Sequence, residues 1–332
     1  MALLAQLKSI AVTGTVNTYA YLSSPRAVAK AMIWKRGLPN PACPRHGVDK
    51  YLWRKVFDRN PEATAMSDKL AAKKIAQYIC KGILVPQTIW EGARFQDIPH
   101  ELLAGDVLLK ANHGSGFHHI IRNGTYDSEY LTRETRRWMS RDFSRYFGEW
   151  NYTGIRRRLF VEEFLKDTAG VPVNAEAKVY VFGSRAPFAV YFHNRLTDHP
   201  SISLYDRSGK AYPVGSEINM TCNFEPMPEG HQKVFALAEK LARGSDHVRI
   251  DFYFMDENVY FSEFTFHPLA GRFSKNMLNA FPDLDAMWDL QKSWFLCHPQ
   301  PGWRGIYAKW LKRKLAHRAE SEQLPHTSVL RD

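Results

Sequence analysis

The chain has 332 residues, more than one compact core usually holds, so two or three packed lobes are expected. With 45% hydrophobic and 24% charged residues it has the make-up of a globular protein and not of a disordered or fibrous one. Four scattered cysteines (Cys43, Cys80, Cys222 and Cys297) form no C-x-x-C pair, which argues against a disulfide framework or a zinc cluster and predicts a reducing, cytoplasmic setting. The formal charge of +11 admits a nucleic acid, an anionic membrane surface or an acidic polymer as partner. Much of it is clustered in Arg133, Arg136, Arg137, Arg141 and Arg145, in the triplet 156–158, and in Lys309, Lys312, Arg313, Lys314 and Arg318, each of which also suits a solvated basic face.

Along the chain, residues 1 to about 60 are mixed, and Pro39, Pro41 and Pro44 predict an irregular lead-in and not a long helix. Gln6, Lys8, Ser9 and Thr13 interrupt the first apolar stretch, and no segment has the ~18–20 apolar residues of a bilayer span, so neither signal peptide nor transmembrane helix is expected. Ser67-Asp68 can cap a helix through Tyr78, with a short apolar strand at 83–90 after Gly82. Segments 107–110 and 119–122 predict a hairpin, and 132–147 an Arg-rich helix. Strands are predicted at 159–165, 178–182 and 188–192, a helix at 231–243, and a tight hairpin from 248–254 and 258–264. The tail places Trp303, Ile306, Tyr307, Trp310, Leu311 and Leu315 on one helical stripe.

Three groups of residues carry chemistry. Lys110 ends an apolar strand and is followed by Asn112-His113-Gly114-Ser115-Gly116, whose backbone N–H groups can approach phosphate oxygens where glycine lacks a Cβ. The pattern is neither a Walker loop nor a dinucleotide fingerprint, and an ordinary hairpin has the same shape. Asp251 and Glu263 interrupt apolar strands joined by a tight turn that brings them across from one another. Two such acids can share Mg²⁺ with substrate phosphates, or can pair with Arg249 or a nearby lysine. Glu162 and Glu163, adjacent in LFVEEFL, point to opposite faces of a strand, where one can meet a ribose or an adenine amino group and the other water.

In chain order, Asp68-Lys69, Lys110 with its loop, Glu162-Glu163, Lys178, Arg249-x-Asp251 and the run from Glu263 to Gly271 resemble the ATP-grasp superfamily. From about 44 to 295 the chain resembles its teichuronopeptide-biosynthesis, or TupA-like, branch, through VLLKANHGSG, FGEWNYTGIRRRLFVEEFL, HVRIDFYF and YFSEFTFHPLAG. The resemblance implies an α+β fold of two lobes with ATP between antiparallel sheets: a lead-in at 1–66, a small lobe at 67–158, a metal-binding lobe at 159–300 and a basic tail helix at 301–332. It implies that Lys69, Lys110, Asn112, His113, Gly114, Ser115, Gly116 and Lys178 contact the phosphates, with Glu162, Glu163, Phe164 and Leu165 as the adenine and ribose hinge. Asp251 and Glu263 would hold Mg²⁺, and Arg249, with Lys110, would stabilise the transferred charge. Thr265 stands where many relatives have asparagine as a further metal ligand, which puts a second metal site in doubt.

The implied reaction is ATP-dependent joining of a carboxylate to an amine, here an amino acid to a uronate-type carboxylate of a surface polysaccharide, with Arg195, Arg207, His267 and Arg272 toward the substrate. Arg156 and Arg157 would add to a basic groove for an anionic glycan. Phosphorylation of a sugar or other acceptor by the same fold is an alternative, as is a basic protein that binds nucleic acid or a membrane surface. No nucleic acid is expected on the first two readings, and peripheral membrane contact stays open.

Overall fold

The computed structural model describes residues 2–167, 170–173, 175–194, 196–215, 227, 229–255 and 257–323. Helices α1 (Ala2–Ser23), α2 (Pro25–Lys35), α3 (Gly47–Val56), α4 (Pro61–Ser67) and α5 (Lys69–Ile79) precede a first sheet. That sheet contains β1 (Thr88–Gly92), β2 (Val107–Ala111) and β3 (His118–Ile121), then, after α6 (Ser128–Ser140) and α7 (Phe143–Phe147), β4 (Leu159–Glu163). A second sheet follows with β5 (Ala175–Phe182), β6 (Arg185–His193), β7 (Ser201–Asp206) and β8 (Ala211–Tyr212), then α8 (His231–Leu241) and the hairpin β9 (His247–Met255) and β10 (Asn258–Thr265). The chain closes with α9 (Lys275–Ala280), α10 (Leu284–Met287), α11 (Trp294–Cys297) and α12 (Trp303–Gln323).

The sheets are antiparallel throughout, in orders β1-β4-β2-β3 and β10-β9-β5-β6-β7-β8. Period-two alternation gives each strand two different faces. In the larger sheet Ala177, Val179, Val248, Ile250 and Phe252 pack beneath α5 and α8. The opposite face turns Tyr180, Phe188, Val190 and Leu204 toward a core built with the N- and C-terminal helices, while its middle carries charge. The smaller sheet likewise buries Val107, Leu109, Leu159 and Val161 against α6 and leaves Lys110, Phe160 and Glu162 on its other face.

Several elements differ from the sequence-based expectation. The lead-in is helical: α3 is buried on nearly all sides, with Trp53 and Tyr51 in the core, Arg54 paired to Asp246 at 2.7 Å and the Lys50 ammonium donating to the carbonyl oxygens of Asp285 and Trp288. Only the proline stretch between α2 and α3 is irregular. The expected helix at 132–147 is two, because Asp142 turns extended and caps α7 through Ser144 and Arg145 N–H groups. The expected strand at 83–90 begins only at Thr88, since Pro86 has no N–H to give a ladder. Strands β7 and β8 were not expected at all.

The tail helix docks on the body. Tyr307 and Leu311 are 2% and 0% exposed, and Tyr307 Oη accepts from Trp53 Nε1 at 3.0 Å, whereas Ile306, expected on the same stripe, is 71% exposed. Leu311→Ala should therefore cost about 2–5 kcal/mol in urea unfolding, and Ile306→Ala less than about 0.5 kcal/mol.

Candidate active site

The polar faces of the two sheets meet across a cleft. One end is a cavity of about 330 Å³ bounded by Leu108, Ile120, Glu163, Phe164, Leu165, Val173 and Ala175, with Lys110, Glu162, Glu176 and Tyr253 at its inner edge. It opens into a second cavity of about 420 Å³, lined among others by Lys69, Lys73, Ser115, Lys178, Arg249 and Glu263. A third, of about 100 Å³, lies beyond Lys178 and Arg249 and is walled by Tyr180, Val190, Phe192, Ile202, Leu204 and Met277.

The charges come from one register row of the larger sheet. Glu263, Asp251 and Lys178 are direct cross-strand partners on β10, β9 and β5. A β-bulge makes this possible: the ladder pairs Phe261 with Phe252 and then Glu263 with Asp251, so Ser262 is extra and Glu263 is carried onto the cleft face. The next row sets Thr265 against Arg249. Asp251, fully buried, accepts two hydrogen bonds from Arg249, at 2.6 and 2.7 Å, and one from Lys178 at 2.8 Å. Burial would raise its pKa, but Arg249 and Lys178 hold the carboxyl below its ordinary value. Burial likewise opposes the charge on Lys178 and Arg249, and it is outweighed by Asp251 together with Glu176 and Glu263 at Lys178 and together with Tyr180 and Glu263 at Arg249, so both sit above their ordinary values. Glu263 is looser, 3.6 Å from Arg249 and 3.7 Å from Lys69.

A second network belongs to the smaller sheet. Glu162, 2% exposed, is clamped by Lys73 at 2.5 Å and Lys110 at 2.6 Å. The two ammonium groups overcome burial and lower the Glu162 carboxyl; burial is likewise overcome at Lys110, which is raised by Glu162, Tyr253 and Glu263. Lys69 and Lys73 reach the cleft because they are one turn apart on α5, whose first turn Asp68 caps through Leu70 and Ala71 N–H groups.

The loop 112–116 divides in two. Ser115 and Gly116 line the cleft, and the Lys69 ammonium donates to the Gly114 carbonyl oxygen. Gly114 has φ 72°, and a Cβ there would lie 2.8 Å from Phe117, so only glycine fits. Asn112 and His113 lie beneath: Asn112 ties the Arg156 carbonyl and the Arg158 N–H, and His113 meets the Trp138 carbonyl, burial and then Arg157 lowering its imidazole to about 4. Glu163 accepts from the Gln87 N–H at 2.6 Å and, with Phe164 and Leu165, edges the first cavity. His267 lines the second cavity, buried, with neither ring nitrogen hydrogen-bonded; burial pushes its imidazole well below its ordinary value.

The remaining arginines do not converge. Arg207 pairs with Glu239 on the far side of the sheet, Arg272 stacks on Trp34, and Arg157 donates to the Met139 carbonyl; none of the three lines any of these cavities. Arg195 lies outside the described residues. Sequence reasoning missed Lys73, Glu176, Tyr253, Tyr152 and Glu149, all of which line the second cavity. The i, i+4 spacing from Lys69 could have found the first of these.

A family model described as TupA-like ATPgrasp matches residues 49–280. The chain belongs to the TupA-like ATP-grasp family. It is thus an ATP-dependent enzyme of the ATP-grasp ligase type, with the ATP-grasp fold. Solved structures similar to it include a D-alanine–D-alanine ligase from Bacillus anthracis complexed with ATP, 17% identical, covering 78% of this chain and 68% of that one at TM-score 0.38. The ATP-grasp ligase PsnB with a minimal precursor is 12% identical, covering 81% and 69% at TM-score 0.36. The macrocyclase MdnC from Microcystis aeruginosa MRC with its precursor peptide is 14% identical, covering 76% and 63% at TM-score 0.34. No curated protein sequence matches significantly.

The donor set suits Mg²⁺. Glu263 and Thr265 line the second cavity with hard oxygens 3.4 Å apart, and Asp251 faces Glu263 across the strands, though it lines none of the three cavities and both its oxygens are held by Arg249 and Lys178. Among the described residues no group of three or more His, Cys, Asp or Glu could hold a metal.

Because Glu162 neutralises two buried ammonium groups, Glu162→Gln should lower stability by about 3–5 kcal/mol in denaturant unfolding near neutral pH. Its folded pKa is lowered, so the deficit is full above the ordinary glutamate value of about 4.3 and shrinks as pH falls through the folded value.

Proposed function

We propose that the protein is an ATP- and Mg²⁺-dependent carboxylate–amine ligase that forms an amide through an acyl phosphate. We further propose that it acts in the cytoplasm, attaching an amino acid to a uronate-type carboxylate during surface polysaccharide synthesis. The observation that carries the first statement is the single cleft in which Lys69, Lys110, Lys178 and Arg249 converge on the registered pair Asp251 and Glu263. Phosphoryl transfer asks a protein mainly for positioning and for neutralisation of charge, and this arrangement supplies both without a protein nucleophile.

The first cavity takes the adenine and ribose along Phe164 and Leu165, between the apolar side chains of Leu108, Ile120 and Val173. Lys110, kept charged by Glu162, and Lys69 meet the phosphates under the Ser115-Gly116 loop. Bound Mg²⁺, held by Asp251 and Glu263 and by Thr265 if a second ion joins, would offset the phosphate charge. Arg249 and Lys178 turn the acceptor carboxylate toward the terminal phosphate, and the third cavity receives its carbon skeleton. Tyr180 and Phe192 there offer ring faces against which the apolar side of a sugar ring packs. The dispersed positions of Arg207 and Arg272 shift the anionic-substrate contact away from a broad basic groove and onto Lys178 and Arg249.

Thermal unfolding with and without Mg²⁺-ATP tests the nucleotide site. At a ligand concentration a hundredfold above Kd the native protein should gain about 2.7 kcal/mol, read as a Tm rise of several degrees. The Asp251→Asn, Glu263→Gln variant should lose the metal-dependent part of that rise. A native protein with no rise at millimolar ATP would overturn the nucleotide site.

A further inference from the structure

Glu149 lines the second cavity, and the steps above give it no work. It is 5% exposed, and among the described residues no hydrogen bond or ion pair reaches its carboxylate. A carboxylate buried without a hydrogen-bond partner is costly, so its place in the wall of the cleft points to a ligand that completes it. The neighbouring cations are engaged elsewhere. Lys55, on α3, donates to the carbonyl oxygens of Phe147 and Ala270 at 2.9 and 2.7 Å, and Lys30, on α2, sits 3.8 Å over the Phe147 ring. Tyr152, on the turn Trp150–Tyr152, is the other titratable group close to Glu149, and its phenol also feels Glu263, Arg249 and Asp251. Burial raises the Glu149 carboxyl to about 7, against the pull of Lys55 and Lys30.

The backbone that carries Glu149 is fixed. Helix α7 ends in Gly148 at φ 69°, where a Cβ would lie 3.2 Å from Ala27. Trp150 Nε1 donates to the Arg54 carbonyl at 3.3 Å, and Asn151 donates to Ser67 Oγ at 2.7 Å. The Lys55 ammonium ties this turn to the loop 267–271, whose Leu269 and Ala270, both in the left-handed region, line the same cavity.

We propose that Glu149 is a catalytic residue that receives the ammonium group of the amine substrate and takes the proton this group must lose before it can attack the acyl phosphate. The proposal rests on the ligase reading above. In the balanced step the ammonium gives one proton to Glu149, and the free amine forms the C–N bond. The C–O bond to phosphate breaks with its electron pair, and the second nitrogen proton leaves with the phosphate. The product is an amide, hydrogen phosphate and a protonated Glu149. An acid whose ordinary value has moved to the working pH suits both the acceptance of this proton and its later release.

The test compares two nucleophiles on the native enzyme and on Glu149→Gln, with glucuronate, galacturonate and glutamate offered as carboxylates. Hydroxylamine is uncharged at neutral pH and needs no base, whereas glutamate, alanine and lysine arrive as ammonium ions. Glu149→Gln should lower amide formation at least about 100-fold and hydroxamate formation less than about threefold. The native amide rate should rise with pH through about 7, the variant should lose that limb, and Glu149→Asp should regain part of the rate. Equal losses with both nucleophiles, or no loss with either, would overturn the role of Glu149 and leave the ligase intact. Absence of hydroxamate from the native enzyme with every carboxylate would instead overturn the ligase reading, and this proposal with it. Should the variant fail to fold, a flat amide profile in the native enzyme would be decisive against the proposal.

Discussion

The cleft depends on one buried carboxylate. Asp251 is out of contact with water in the middle of the larger sheet, and an ionised acid there survives only because Arg249 and Lys178 neutralise it from the same face. Each of the three is a liability alone, and together they make a rigid charged row whose positions are set by strand register and not by loop conformation. The apolar opposite face, packed on α5 and α8, prevents the strands from slipping, because a one-residue slip would drive the whole row into that core.

The smaller sheet repeats this arrangement with Glu162 between Lys73 and Lys110. An adenine hinge glutamate was the expectation from the resemblance; the structure shows a carboxylate that neutralises two buried ammonium groups. Both networks therefore do the same job from opposite sides of the cleft. They hold cations that are mostly buried, where each is less screened than it would be at the surface.

Much of this was legible in the sequence, for identifiable reasons. Lys110 before a Gly-Ser loop, and acids interrupting the aromatic strands β9 and β10, are local patterns that alternation alone places on a face. The hairpin made Asp251 and Glu263 neighbours, yet a regular ladder would have put Ser262 opposite Asp251; the bulge that corrects this has no glycine or proline to announce it. The role of α3 was hidden because Lys50, Arg54 and Lys55 are buried beside its apolar residues, and they read as solvated until their carbonyl and carboxylate partners, some two hundred positions later, are known. Two of the arginines offered to the substrate lie away from the cavities for the converse reason: charge in a loop says nothing of direction, and Arg207 and Arg272 meet Glu239 and Trp34.

Charge balance links the two ends of the reaction. Around the cleft the cations Lys69, Lys73, Lys110, Lys178 and Arg249 face the carboxylates Glu162, Glu176, Asp251 and Glu263, an excess of one positive charge before Glu149 is counted. A metal–nucleotide complex carries net negative charge into this space and reverses the excess. On the proposed ligase reading, that change lets an ammonium group sit beside Glu149 at lower electrostatic cost than in the nucleotide-free cleft.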